Sequence, residues 1–396
     1  MKNLYQQAII RNADWFISRQ REEGYIDADG DEFYGVRGDA TLVGHSVTVR
    51  MYAHRLTGEE RYLKSAQTSL KWLMQRQDAE GGWKHHAAFT LDGAQCVFEG
   101  FNTYRRFTGD SRFDQTLLSA AERMVRGTIR EDGSLKLPNI IEIGEYAHFA
   151  MLAFKTTGEY RFRRASEAMA GHIVRNFDER EGFWCPFDRN RRANRGEAIA
   201  RKVLRPLLRS AARKLPMRGR LAARFADHLL PIVVAAPHPQ YTMSLMDAEL
   251  LIDTLDGSCE FPELRRQTTR AVSWAVEHCQ GPFPGTITES CKTTPNEQVY
   301  PVAILNDSEM AATWPTTCLL IAYCGLNDPA LRDQARQIAD WLVSIQDAKG
   351  GFLNFCRPDG SFHPLQSGNV NYYASLALWL FSEVYGDGPR FFTQAA

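Results

Sequence analysis

The 396-residue chain has no apolar run approaching the roughly 18 residues of a membrane-spanning helix, and none near its start long enough for a secretory signal. A cytoplasmic setting is therefore expected. The eight cysteines, Cys96, Cys185, Cys259, Cys279, Cys291, Cys318, Cys324 and Cys356, form no Cys-x-x-Cys pair. That spacing argues against a structural zinc site and for buried, reduced thiols; no metal and no organic cofactor is expected. With 47 basic and 47 acidic residues there is no net charge, and so no global field to draw nucleic acid. Strand-type alternation is nearly missing too, which leaves helices to build the core.

What is present is a repeat. Trp72-Leu73-Met74-Gln75-Arg76-Gln77-Asp78-Ala79-Glu80-Gly81-Gly82-Trp83 returns as Trp341-Leu342-Val343-Ser344-Ile345-Gln346-Asp347-Ala348-Lys349-Gly350-Gly351-Phe352, and more loosely as Trp15 to Tyr25. Each reads as a helix end, a left-handed glycine and an aromatic that packs back. A second signal, Leu56-Thr57-Gly58-Glu59, Phe107-Thr108-Gly109-Asp110 and Thr156-Thr157-Gly158-Glu159, marks tight joints between helices. There an acidic residue is expected to complement the positive end of the following helix. Leu326-Asn327-Asp328-Pro329 reads as a fourth joint and Leu255-Asp256-Gly257-Ser258 as a looser fifth.

The two signals alternate along the chain and predict outer helices near 3–19, 59–77, 111–127, 160–176, 262–279 and 329–346. Inner helices are predicted near 40–56, 92–108, 142–157, 242–255, 309–325 and 370–386. Six hairpins bury their apolar stripes only by stacking and closing, so the expected fold is all-α, an (α/α)6 toroid forming a single domain over 1–396. Every long connection then falls at the face where the inner helices begin, and that face should carry the site.

One connection, about 177–241, breaks the pattern. Between Arg189 and Arg224 it holds thirteen basic residues against one acid, Glu197, a surplus of +12 that the rest of a neutral chain must balance. Val203, Leu204, Leu207, Leu208, Ala211 and Leu215 follow helical spacing there, which predicts a basic amphipathic helix. Three destinations are open: the acidic flank of its own toroid, an anionic membrane surface, or an anionic polymer or partner.

The Gln-x-x-x-Gly-Gly-Trp/Phe element resembles the repeat of squalene and other terpenoid cyclases and of protein prenyltransferases. The Thr-Gly-Asp/Glu joints resemble those of six-hairpin carbohydrate-active enzymes: unsaturated glucuronyl hydrolases, sugar 2-epimerases and toroidal polysaccharide lyases. Both resemblances imply an α/α toroid over nearly the whole chain outside the basic segment. Neither motif contains a catalytic residue. The Asp-x-Asp-Asp and Asp-Asp-x-x-Asp motifs of terpenoid enzymes and the Asn-Asn-His run of alginate-lyase-like toroids are missing. Asp27-Ala28-Asp29-Gly30-Asp31-Glu32 imitates a calcium loop but lacks its distal glutamate, and reads as an acidic turn.

Inner helices of a closed ring can be wet only toward the lumen, so polar stripes on them are informative. Thr41, His45 and Thr48 form one; Gln95, Glu99 and Asn102 a second; Glu142, Glu145 and His148 a third; Ser244 and Asp247 a fourth. Glu309, Thr313 and Thr317 form the fifth, and Asn369, Tyr372 and Ser375 the sixth. This mixture suits saccharides. Trp83, Trp184 and Trp314 are candidate stacking platforms, and Gln95, Glu99, His148 and Asn369 candidate hydroxyl ligands. Glu145, Asp247 and Glu309 are the candidate acid/base carboxylates. His45 and Tyr372 are the alternative pair for proton abstraction, with Arg37 holding a uronate carboxylate.

The expected function is a glycan hydrolase or a lyase/epimerase acting on a bacterial-type glycan, with a terpenoid cyclase or a non-catalytic toroid scaffold as alternatives. A lipid-linked glycan at the inner membrane would account for the basic segment, since each basic residue near an anionic leaflet contributes on the order of 1 kcal/mol. The protein is then expected to sediment with anionic but not neutral liposomes and to be released by salt. Equal, negligible sedimentation with both at low salt would place the segment on its own toroid.

Overall fold

The computed structural model describes residues 3–27, 40–83, 94–130, 134, 136, 140–179, 182–184, 261–288, 310–362 and 366–386. Eleven α-helices lie among them: α1 (Leu4–Ile17), α2 (Ala40–Thr57), α3 (Glu60–Met74), α4 (Ala94–Thr108), α5 (Asp114–Thr128), α6 (Ile140–Thr157), α7 (Tyr160–Arg175), α8 (Pro262–His278), α9 (Thr313–Leu326), α10 (Arg332–Ser344) and α11 (Gly368–Val384). Eleven of the twelve expected helices are thus present within a few residues of their predicted bounds. The twelfth, near 242–255, and the basic segment lie outside the described residues. Among the described residues, strand structure is limited to two-residue pairs, β1 (Phe177–Asp178) with β2 (Phe183–Trp184), and β3 (Ala311–Ala312) with β4 (Phe355–Cys356).

Burial separates the two rings. Trp314 alone among the residues of α9 is not buried, and in α11 Asn369 is the one interruption from Gly368 to Glu383. These are inner helices. The outer helices bury a single stripe, as α3 does with Tyr62, Ala66, Ser69, Leu70, Trp72 and Leu73. Inner α2 packs on α4 and α11, α4 on α6, and α9 on α11, while α1 packs against α10 and α11 and so joins the two ends of the chain. The result is an α/α toroid. No helix among the described residues is long and apolar enough to cross a membrane. Cys279, Cys318, Cys324 and Cys356 are buried, and burial pushes the Cys324 thiol above its ordinary range.

The repeat proves to be a joint between successive outer helices. Gly24, Gly81 and Gly350 all adopt positive φ, and a Cβ added to them would stand 2.5, 2.2 and 2.2 Å from the carbonyl oxygens of Thr68, Ser119 and Arg11, each on the next outer helix. The glutamine of the motif bonds across the same joint. Gln77 donates to Gly81 O (3.1 Å) and Thr116 O (2.9 Å), and Gln346 to Gly350 O (2.9 Å) and Ala8 O (2.8 Å). Gln20 reaches Ser65 O and Ser69 Oγ, both at 2.9 Å. Gln346 therefore closes the ring.

The packed-back residue lies two positions after the left-handed glycine: Trp83 after Gly81 and Phe352 after Gly350. In the first repeat that residue is Ile26, which corrects the reading of Tyr25; Tyr25 is only partly buried, against Trp72. The same geometry recurs at Gly182/Trp184 and Gly285/Ile287, where the glutamine signature is absent.

At the opposite end the Thr-Gly joints fold as expected. Thr57 Oγ1 donates to Ala53 O and accepts from Glu59 N (3.0 Å), and Thr157 repeats this with Ala153 and Glu159. The acidic residues stand at the starts of the following helices as expected, and Asp110 Oδ1 accepts from Arg112 N (3.0 Å). Glu59 and Glu159 make no side-chain cap bond; they pair with Arg61 and Arg161, each at 2.7 Å.

Three substitutions separate close approach from backbone strain. Gly58→Ala meets nothing within 4 Å and carries only the left-handed penalty, about 1 kcal/mol. Gln346→Ala removes two hydrogen bonds, about 1–3 kcal/mol. Gly350→Ala adds a steric clash to the same strain and is expected to cost on the order of 3 kcal/mol or more. Urea unfolding midpoints should fall in that order, and equal losses at Gly58 and Gly350 would show that docking on α1 carries no weight.

Candidate functional site

Polar lumen residues from three inner helices meet beside a glycine contact. A Cβ on Gly100 would lie 2.6 Å from Gly44 O, so α2 and α4 touch backbone to backbone where His45 and Glu99 stand next in sequence. His45, 1% exposed, stacks face to face on Tyr372 of α11, with ring centroids 3.9 Å apart and planes 4° apart. The Tyr372 hydroxyl donates a very short hydrogen bond to Glu99 Oε2. His45 Nδ1 lies 3.1 Å from Asn369 Oδ1, and Tyr373 meets the imidazole edge to face at 5.5 Å. Trp314, from α9, stacks on Tyr373 at 6.3 Å.

Burial raises the Glu99 carboxyl above its ordinary range, against the opposing influence of the Tyr372 hydrogen bond and the positive fields of His148 and Arg106. His148, buried on α6, adds a fourth inner helix to the cluster. About two helical turns further along the same helices, roughly 10 Å deeper, Tyr52, Phe107 and Trp379 form an aromatic floor. Tyr52 stacks on Trp379 at 4.4 Å, and Phe107 lies 5.9 Å from Trp379. The titratable groups thus stand above an aromatic layer on the same helices.

Of the residues selected from sequence, the fold brings together His45, Tyr372, Glu99, His148 and Asn369, with Trp314 joined through Tyr373. Trp83 and Trp184 are corrected. Both are fully buried, and their indole N–H groups donate to Leu73 O (2.8 Å) and Ile173 O (3.2 Å), the ends of their own outer helices. Neither has a face left for a sugar. Ser375 likewise turns away, to Asn12 Oδ1, and Thr313 and Thr317 donate to Leu353 O and Trp314 O. Asp27 forms an ion pair with Arg21. Arg37, Asp247 and Glu309 lie outside the described residues, as do the side chains of Gln95 and Glu145 on α4 and α6.

Sequence reasoning missed Tyr373, and it missed the Gly44/Gly100 contact. Glycines interrupting two apolar helical patterns were the available signal for the contact. Nothing in spacing distinguished Tyr373 from a core tyrosine.

The double ring of helical hairpins, with polar groups converging from its inner helices, defines the class: an α/α toroid. Solved structures of similar shape include D-mannose isomerase (TM-score 0.62, 11% identity, covering 96% of this chain and 97% of that one). An unsaturated glucuronyl hydrolase specific for heparin is another (0.60, 11%, 96% and 98%), as is cellobiose 2-epimerase from Bacillus thermoamylovorans (0.61, 10%, 93% and 97%). These neighbours are carbohydrate-active enzymes of the six-hairpin toroid type. No protein-family model matches the chain, and no curated protein matches its sequence.

The raised Glu99 carboxyl sets a pH dependence. The folded protein holds this proton more tightly than the unfolded chain, so stability falls as pH rises from the ordinary glutamate range through the raised native value. Glu99→Gln cannot titrate. The melting temperature of the wild type relative to Glu99→Gln is expected to drop across that window in paired thermal scans. A rise would show Glu99 held as a carboxylate by Tyr372 and His148.

Proposed function

We propose that the protein is a saccharide-modifying enzyme working by general acid/base proton transfer at a sugar carbon: an epimerase, isomerase or lyase. The observation that carries this reading is the linked set His45, Tyr372 and Glu99. An imidazole is fixed by stacking, a phenol is held against it, and a carboxyl is kept toward its protonated form by burial. A base and an acid of different strengths in one cluster are what abstraction and return of a proton require. Trp314 and Tyr373 supply aromatic surface beside them. The fold's likeness to sugar isomerase, epimerase and hydrolase structures supports a saccharide as the substrate. A terpenoid cyclase needs an apolar cavity with one strong acid, and this imidazole-rich cluster does not favour one.

The segment from Arg189 to Arg224 supports a finer reading from sequence alone. The substrate is a bacterial-type glycan, lipid-linked and presented at an anionic cytoplasmic leaflet on which the basic helix lies.

The test is conversion in D2O of a panel of reducing sugars, uronate-containing oligosaccharides and bacterial exopolysaccharides, followed by NMR and mass spectrometry. Solvent deuterium is expected at carbon in product or recovered substrate. His45→Ala and Tyr372→Phe should lower turnover at least about a hundredfold with the fold retained. Cleavage of a glycosidic bond with addition of water, giving a saturated product without carbon-bound deuterium, would assign hydrolysis, whereas an unsaturated product marks a lyase; full activity in both variants would remove the cluster from the chemistry.

A further inference from the structure

His45 is held on three sides, and one contact bears on its proton rather than its position. Tyr372 lies parallel to the ring and Tyr373 meets its edge. These fix the plane of the imidazole but not which nitrogen carries hydrogen. Asn369 Oδ1, 3.1 Å from Nδ1, does bear on that. An amide oxygen only accepts, so the bond forms when Nδ1 carries the proton and Nε2 keeps its lone pair. Asn369 is also the one residue between Gly368 and Glu383 of α11 that is not buried, standing two residues after Ser367, whose hydroxyl accepts from Val370 N and caps the helix. Its backbone is therefore anchored by the helix start.

From this geometry we infer that Asn369 is a positioning residue that selects the Nδ1–H tautomer of His45 and so makes Nε2 the proton acceptor of the site. The inference rests on the proposed acid/base role of His45. The neighbouring titratable and charged groups are Tyr372 and Tyr373 from α11, Glu99 from α4 and, through Glu99, His148 from α6 and Arg106 from α4. Glu99 reaches the imidazole only through the Tyr372 hydroxyl, whereas Asn369 meets a ring nitrogen directly. A neutral amide at this position adds no charge beside the imidazole. A carboxylate in its place would stabilise the imidazolium.

The experiment is a histidine 15N–1H correlation on the intact labelled protein across pH, with His45→Gln used to assign the signal. In the wild type, Nδ1 should be pyrrole-type and Nε2 pyridine-type. In Asn369→Asp the His45 titration midpoint should rise by about one pH unit, the scale of one adjacent opposite charge, and the acidic limb of the kcat profile should move with it. Asn369→Ala should show mixed tautomers with no rise in midpoint, and a loss in kcat larger than any change in KM. An Nε2–H tautomer in the wild type, or an unmoved midpoint in Asn369→Asp, would overturn the inference. The NMR readout needs no substrate, so an absence of saccharide conversion would count against the proposed function while leaving the tautomer result standing.

Discussion

The toroid depends on backbone standing against backbone at the ends of three outer helices, α1, α3 and α10. Where Gly24, Gly81 and Gly350 meet the next outer helix, no room remains for a Cβ, and a glutamine side chain bonds across the junction at all three. A left-handed glycine is needed twice over, for the turn and for the approach. Because the last such joint lands on α1, the C-terminal hairpin is gripped against the first. An apolar stripe buried between two rings gives cohesion, but it does not set the angle at which one hairpin follows another. The joints set it.

That closure is what makes the lumen chemically useful. Inner helices surrounded on every other side expose polar groups only inward, and α2 and α4 are drawn close enough at Gly44 and Gly100 to bring His45 and Glu99 to one tyrosine. A carboxyl in so dry a place holds its proton above the ordinary range. Tyr52, Phe107 and Trp379 form an aromatic layer deeper along the same helices.

Arg50 shows the same economy away from the lumen. It is fully buried, and its guanidinium donates to Ser46 O, Ser46 Oγ, Ser65 Oγ and Ser69 Oγ at 2.7–3.0 Å. Desolvation pulls its pKa down to about 9. Ser65 and Ser69 are also partners of Gln20, so the guanidinium ties an inner helix to the outer joint beside it.

The amino-acid sequence by itself determined the helices and their alternation. Those features follow from local physics: apolar period, left-handed glycines and loop length act within a few turns of chain, and all were legible at Gly81, Gly350 and the Thr-Gly joints. Single residues were less legible. Trp83 and Trp184 looked like sugar platforms because an exposed tryptophan and a packed-back one have the same letter; only the fold shows their indoles capping their own helices. The partnership of His45, Glu99, Asn369 and Tyr372 was decided by tertiary structure, since it spans more than 320 positions of sequence and depends on closure bringing α11 back to α2. No local pattern carries the distance between two helices that meet only when a ring shuts.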